Sequence, residues 1–194
     1  MTCLPRIFVY LFLALAAAPQ EHHHDAAMMD NPSRDVWQKP ANVVKALGIR
    51  PTDVVADIGA GSGYFTRRFA AVAEKVFAVD TDGEALAAAA KSSPANVTTV
   101  LASPDDPRLA PESVDLIFIC DTLHHIENRP AYYLKLIRAL KHGGRIAIID
   151  FKAGWLQEEA ALKELDNAGF TVSDKLDFLA RQYYIIVRPS ENSR

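Results

Sequence analysis

The sequence holds little that would send it outside the ordinary globular classes. It has two cysteines, Cys3 and Cys120, and no block of like charge. Beyond the first twenty residues it also has no long apolar run. Cys3 lies ahead of the first apolar run, too early to be a lipid-anchored cysteine. If the leader described below is removed, Cys120 stands alone, so no intrachain disulfide can form and cysteine usage does not settle the redox compartment. With 21 basic against 24 acidic residues and a formal charge of -3, there is no electrostatic footprint for nucleic acid or an anionic membrane. There is no internal repeat. What remains is 194 residues of near-neutral mean hydropathy and 49% hydrophobic content, enough for one domain with a real core.

The apolar run at the start spans residues 7–15, follows Arg6 and leads into Ala16, Ala17 and Ala18. This is the layout of a secretory leader, and it is shorter than the roughly 20 residues a membrane-spanning helix needs. A signal peptide over 1–18 is expected, with export of the mature chain and no stable membrane insertion once the leader is removed. Translation starting at Met28 or Met29 would instead give a cytoplasmic protein. Residues 19–38 read as an N-terminal arm. Adjacent His22, His23 and His24 rarely converge on one ion, so no metal site is expected. Within the arm, Arg34-Asp35-Val36-Trp37-Gln38 either folds over a ligand crevice or packs Trp37 on the first helix of the domain.

The domain is expected over 39–190. Pro40 starts a helix that Gly48 stops. Strands follow at 54–58, 76–79, 97–101, 114–120 and 146–151. Helices lie between them at 64–73, 82–91 and 130–140, the last closed by Gly143-Gly144, and a further helix spans 157–168. Near-continuous apolar strands imply a sheet covered on both faces. Two last strands, at 171–179 and 183–187, leave no room for a crossover helix and should pair antiparallel at the sheet edge.

The most informative segment is Asp57-Ile58-Gly59-Ala60-Gly61-Ser62-Gly63-Tyr64, where a strand hands over to a helix. Glycines there allow close approach of backbone to a ligand in the crevice at the carboxyl ends of the strands. Asp80 ends the second strand, where a carboxylate can accept both hydroxyls of a ribose. Asp57, directly before the loop, would repel a pyrophosphate but can receive a cationic amino group. The combination points to an adenosine-containing cofactor with a positive charge, with S-adenosylmethionine as the fitting chemistry.

These residues resemble the class I S-adenosylmethionine-dependent methyltransferases, whose D-x-G-x-G-x-G motif stands here as Asp57, Gly59, Gly61 and Gly63. The resemblance extends over about 39–187. It takes in Val79-Asp80-Thr81, the tail of the fourth strand in Asp121-Thr122-Leu123-His124-His125, and the segment 140–145 before the fifth strand. It implies an α/β, Rossmann-like doubly wound fold with a seven-stranded, mostly parallel sheet and an antiparallel last strand. It also implies S-adenosyl-L-methionine contacting Asp57, Gly59, Ala60, Gly61, Ser62, Gly63, Tyr64, Asp80, Thr81 and Cys120, although Cys120 reads equally as buried packing. Many relatives carry an acidic residue just after the third strand. Here that place is Ala102-Ser103, so either Asp105 and Asp106 reach the adenine from a longer loop or they form a solvated turn.

The reaction implied is methyl transfer to a small molecule. His125 and His124 are candidate bases or loop-orienting groups, and Asp121 either holds an imidazole or contacts the methionine moiety. The alternatives are a cofactor-binding protein without turnover and an NAD-binding oxidoreductase domain.

Overall fold

The structure, a computed structural model, describes residues 33–191; the expected leader, the histidine cluster and both candidate start methionines lie outside the described residues. The described residues form seven strands, with helices between most of them but none between the third and fourth or the sixth and seventh. They are β1 (Val54–Ile58), β2 (Lys75–Asp80), β3 (Val97–Leu101), β4 (Val114–Cys120), β5 (Leu140–Phe151), β6 (Phe170–Leu176) and β7 (Gln182–Pro189). The helices are α1 (Ser33–Gln38), α2 (Pro40–Leu47), α3 (Thr66–Ala70), α4 (Gly83–Ser92), α5 (Arg129–Ala139) and α6 (Glu158–Asn167), with a single 3-10 turn at Leu123–His125.

The strands form one sheet in the order β3-β2-β1-β4-β5-β7-β6. β1 pairs in parallel with both β2 and β4, and β7 runs antiparallel to β5 and β6. This is the expected α/β doubly wound sheet, mostly parallel with a reversed last strand. β7 sits between β5 and β6, so β6 and not the last strand forms the edge. Between β1 and β4 the strand order changes direction, and that switch point leaves a crevice at the carboxyl ends of the strands.

Period-two alternation divides the core. Leu116 and Phe118 of β4 face the side covered by α2 and α3, where they meet Val43, Phe65 and Phe69. Ile117 and Ile119 face the other side, against Tyr133 and Leu136 of α5 and Leu165 of α6. Each of these side chains, once fully buried, contributes about 1.5–3 kcal/mol of transfer free energy. Both faces are needed, which is why β4 is apolar almost throughout.

Helix ends match the residues that cap them. Gly48 takes a left-handed conformation (φ 56°) after α2, and Asp82 accepts from the backbone N–H groups of Glu84 and Ala85 at the start of α4. One expectation is corrected. Gly143-Gly144 does not close α5: the chain is already extended at Leu140, and β5 begins there. The glycines fall where the β4–β5 register shifts, between the Val114–Leu140 and Leu116–Arg145 pairs. A Cβ on Gly144 would lie 2.9 Å from the Lys141 carbonyl, so the pair serves a bulge, not a helix stop.

Candidate functional site

The glycine loop is tied to the sheet from both directions. The N–H groups of Gly59 and Ala60 both donate to the Val79 carbonyl, at 2.8 and 3.1 Å. Gly61 N–H donates to Asp80 Oδ2 at 2.7 Å, and Asp82 N–H donates to Asp80 Oδ1 at 3.0 Å. Asp80 is thereby aimed across the loop, and each carboxylate oxygen keeps further acceptor capacity. Gly59 has φ 73° and sits so close to Thr122 that an added Cβ would lie 2.0 Å from its Oγ1. No other residue fits there. The loop after β1 and the loop after β4 are thus locked together through a position with no side chain.

Asp57 is buried below this loop and accepts a 2.6 Å hydrogen bond from Thr66 Oγ1. Burial pushes its carboxyl up to about 7, with the Thr66 bond opposing and the negative charge of Asp80 adding to the rise. With no basic side chain hydrogen-bonded to it among the described residues, and only the Arg34 charge nearby to lower it, this buried carboxyl is well suited to a ligand's ammonium group, which would restore its ionised form.

A cavity of about 530 Å³ runs along this floor. Asp57, Gly59, Ala60, Gly61, Tyr64, Asp80, Thr81 and Cys120 line it, as do Asp121, His124 and His125. Ser62 and Gly63 do not line it and serve the turn instead. The Ser62 carbonyl accepts from Arg67 Nη1 at 2.7 Å, and Gly63 N–H donates to the Ala60 carbonyl at 2.9 Å. Asp105 and Asp106 also lie outside it. They form a turn with Ser103 and engage Lys135, whose Nζ donates to the Asp105 carbonyl at 2.6 Å and lies 3.2 Å from Asp106 Oδ2. The neighbouring cation on α5 holds this pair away from the crevice.

Thr122, Phe65, Asp82, Ala85 and Phe151, not anticipated from the sequence, complete the walls. Arg34 and Trp37 of α1 also line the crevice, the first of the two readings open for that segment. Arg34 lies 4.2 Å above the Tyr64 ring, with Arg68 4.1 Å from the same ring, and the Tyr64 hydroxyl donates to Asp35. Trp37 packs near Phe151, at 5.9 Å between ring centres, with Arg181 5.5 Å from its ring. Its partners therefore lie across the crevice and not on α2.

Behind α1 runs a polar chain. Gln38 Nε2 donates to Cys120 Sγ at 3.0 Å and to Gln182 Oε1 at 2.9 Å, while Gln182 Nε2 donates to Asp121 Oδ1 at 2.5 Å. Arg34 reaches Asp121 Oδ2 at 3.5 Å. Asp121 takes the left-handed conformation (φ 53°), unusual for a residue with a side chain, in the turn that follows β4. Burial raises its carboxyl to about 6, against the opposing pull of Arg34 and Gln182. Burial likewise raises the Cys120 thiol well above its ordinary range, so it remains protonated.

Asp121 does not hold an imidazole. That part falls to Asp150, buried at the end of β5, whose Oδ1 and Oδ2 lie 2.8 and 2.9 Å from His124 Nδ1. The Phe151 N–H steadies the same carboxylate at 2.8 Å. Against a carboxylate, which accepts, Nδ1 is the donor of this pair, and in the neutral imidazole the other ring nitrogen is the acceptor. The His125 ring packs on that of His124 at 4.1 Å. Asp150 had a sequence signal: it is a lone carboxylate in an otherwise apolar strand end, among Ile148, Ile149 and Phe151.

The sheet order, the glycine loop and the two aspartates at the ends of β1 and β2 define a class I, Rossmann-like domain built for an adenosine cofactor. Residues 56–148 match the family model described as a methyltransferase domain. The chain is 32% identical over 112 residues to the biotin biosynthesis bifunctional protein BioHC of Cellvibrio japonicus, covering 57% of this chain and 22% of that protein. It is 30% identical over 117 residues to demethylmenaquinone methyltransferase of Tropheryma whipplei, covering 59% of this chain and 48% of that protein. The chain thus spans at most about half the length of these curated relatives. Among solved structures, a SAM-dependent methyltransferase from Aquifex aeolicus superposes with a TM-score of 0.75 at 23% identity, over 84% of this chain and 95% of that one. The family match, this shared fold and the donors of the crevice agree on S-adenosylmethionine as the cofactor.

Proposed function

We propose that this chain is a methyltransferase acting on a small-molecule acceptor, with the acceptor entering beside His124. The observation that carries the reading is the crevice itself, a buried unneutralised Asp57 and an oriented Asp80 on its floor with His124 and His125 at its far wall. S-adenosylmethionine supplies a methyl group already activated by its sulfonium. Asp57 would receive the ammonium of its methionine part, Asp80 its ribose hydroxyls, and the Gly59–Gly61 backbone would lie close along it.

What the chain adds to the chemistry is alignment and exclusion of water, which account for much of the acceleration in such a displacement. Arg34 and Trp37 cover the mouth. His124, oriented by Asp150, can take a proton from an acceptor that carries one. The two curated relatives are named for biotin biosynthesis and for demethylmenaquinone, both small molecules, which supports an acceptor of that size.

Titration calorimetry with S-adenosylmethionine and S-adenosylhomocysteine tests the reading directly. The wild-type chain should bind both, and Asp57→Ala and Asp80→Ala should each bind at least tenfold more weakly. Equal binding by all three proteins would place the cofactor elsewhere. Transfer of a labelled methyl group to small molecules of a cell extract then tests turnover, and label confined to macromolecules would overturn the acceptor class.

A further inference from the structure

His124, His125 and Phe151 line both the cofactor crevice and a second, open cavity of about 590 Å³ that adjoins it. The character of this second space differs from that of the crevice. Trp155 lies on it 85% exposed, with its ring edge-on to both imidazoles at 5.7 and 6.1 Å. An indole left so open beside a site is unusual for a side chain of this size. Lys152 and Arg181 stand at the same cavity. Lys152 Nζ donates only to the Leu179 carbonyl at 3.1 Å, and Arg181 meets only the Trp37 ring. Neither cation is paired with a carboxylate among the described residues. The second cavity therefore combines an exposed aromatic surface, two cations without counter-ions and one wall made by a carboxylate-held imidazole.

We propose that this second cavity is the acceptor site and that it takes a hydroxylated aromatic carboxylate. The inference rests on the methyltransferase reading above and assigns its acceptor. The acceptor's ring lies against Trp155, its carboxylate pairs with Arg181 and Lys152, and its hydroxyl meets His124. A simple carboxylate acceptor would need no base, whereas the His124–Asp150 pair is built to remove a proton. The acceptor oxygen forms its bond to the methyl carbon as the carbon–sulfur bond breaks with its electron pair passing to sulfur. The hydroxyl proton goes to the His124 nitrogen that Asp150 does not hold. The products are an aryl methyl ether, a neutral thioether and an imidazolium, which returns its proton to water. Asp150 acts as a positioning residue through His124.

The full chain, loaded with S-adenosylhomocysteine, should quench its tryptophan fluorescence on addition of para-hydroxybenzoate, protocatechuate or caffeate, and much less with phenol or catechol. With labelled S-adenosylmethionine, Arg181→Ala and Lys152→Ala should raise KM for the responding acid about tenfold while kcat and cofactor affinity hold. His124→Gln should lower kcat about a hundredfold at unchanged cofactor affinity. Asp150→Asn should lower kcat with KM nearly unchanged, a split that loss of packing alone would not produce. Cofactor binding with no response to any of these acids, or equal response to the neutral phenols, overturns the proposed acceptor. Full turnover by His124→Gln overturns the assigned base. Failure to bind the cofactor at all sinks the underlying methyltransferase reading, and calorimetry separates that case from the others.

Discussion

The two sides of the crevice are made of different material. On the β1–β2 side the floor is largely backbone: Gly59, Ala60 and Gly61 bend around Asp80 above the buried Asp57 carboxyl, with Tyr64 and Phe65 beside them. On the β4–β5–β7 side the walls are side chains brought from afar. Gln38 meets Cys120 from 82 positions away and Gln182 from 144 positions away. The first side is set by backbone conformation over a short stretch of chain, the second by a side-chain network drawn from distant parts of it.

The contrast is broken most severely at Gly59. Alanine there brings a Cβ to 2.0 Å from Thr122 Oγ1 at a positive φ, so Gly59→Ala should abolish measurable cofactor binding and cost a few kcal/mol of stability. Calorimetry and urea denaturation read the two effects. Near-normal binding would show that the two loops are not locked as described.

Asp57→Asn comes next. Removing the charge partner of an ammonium group should weaken cofactor binding about tenfold to a hundredfold at pH 8. The pH dependence sharpens the point. The folded-state pKa of Asp57 is raised from 3.8 to about 7, so its contribution to the stability of the ligand-free protein is full below about pH 4 and is lost as the pH rises through 7. The ligand-free Asn variant should therefore lose less stability than the wild type between pH 5 and 8. A cationic ligand favours the ionised form, so wild-type affinity should fall as the pH drops below 7 while the variant's stays flat. Parallel pH profiles for the two proteins would sink the assignment.

On the side-chain wall a smaller loss is expected. Gln182→Leu takes one hydrogen bond from Asp121 and one from Gln38, leaving Arg34 on both and Cys120 on Gln38, which should cost about 1–3 kcal/mol in urea denaturation while cofactor affinity changes by only a few-fold. A loss as large as that of Gly59→Ala would erase the distinction between the two sides. The smallest effect is expected outside the crevice. Asp105→Asn and Asp106→Asn disturb exposed pairs with Lys135, so stability should stay within about 0.5 kcal/mol and cofactor affinity within about twofold. A tenfold loss of affinity would bring these residues back to the adenine.

Legibility in the sequence followed the same division. The bounds of β4 were readable because a buried strand needs near-continuous apolar residues between turn signals, whereas β3, partly exposed with Thr98 and Thr99 at its centre, was marked by its β-branched residues. The loop was readable because positive φ values and close backbone approach demand glycine in a local pattern. The β5 start at Leu140 was not readable, since a glycine pair that opens a bulge looks like one that ends a helix. Arg34, Gln38 and Gln182 carried no local signal of their meeting. His124 and His125 were equivalent as letters, and the buried Asp150 distinguishes them.

By itself the sequence determined the order of strands and helices, the cofactor loop and the carboxylates that frame it. Those features depend on conformations and burial that neighbouring residues impose on one another. Only the tertiary structure decided which histidine is held by a carboxylate, that Arg34 and Trp37 of α1 line the crevice and that a cavity with Lys152, Trp155 and Arg181 adjoins it at the imidazoles. Such contacts join residues distant along the chain, and only the folded sheet brings them within hydrogen-bonding reach.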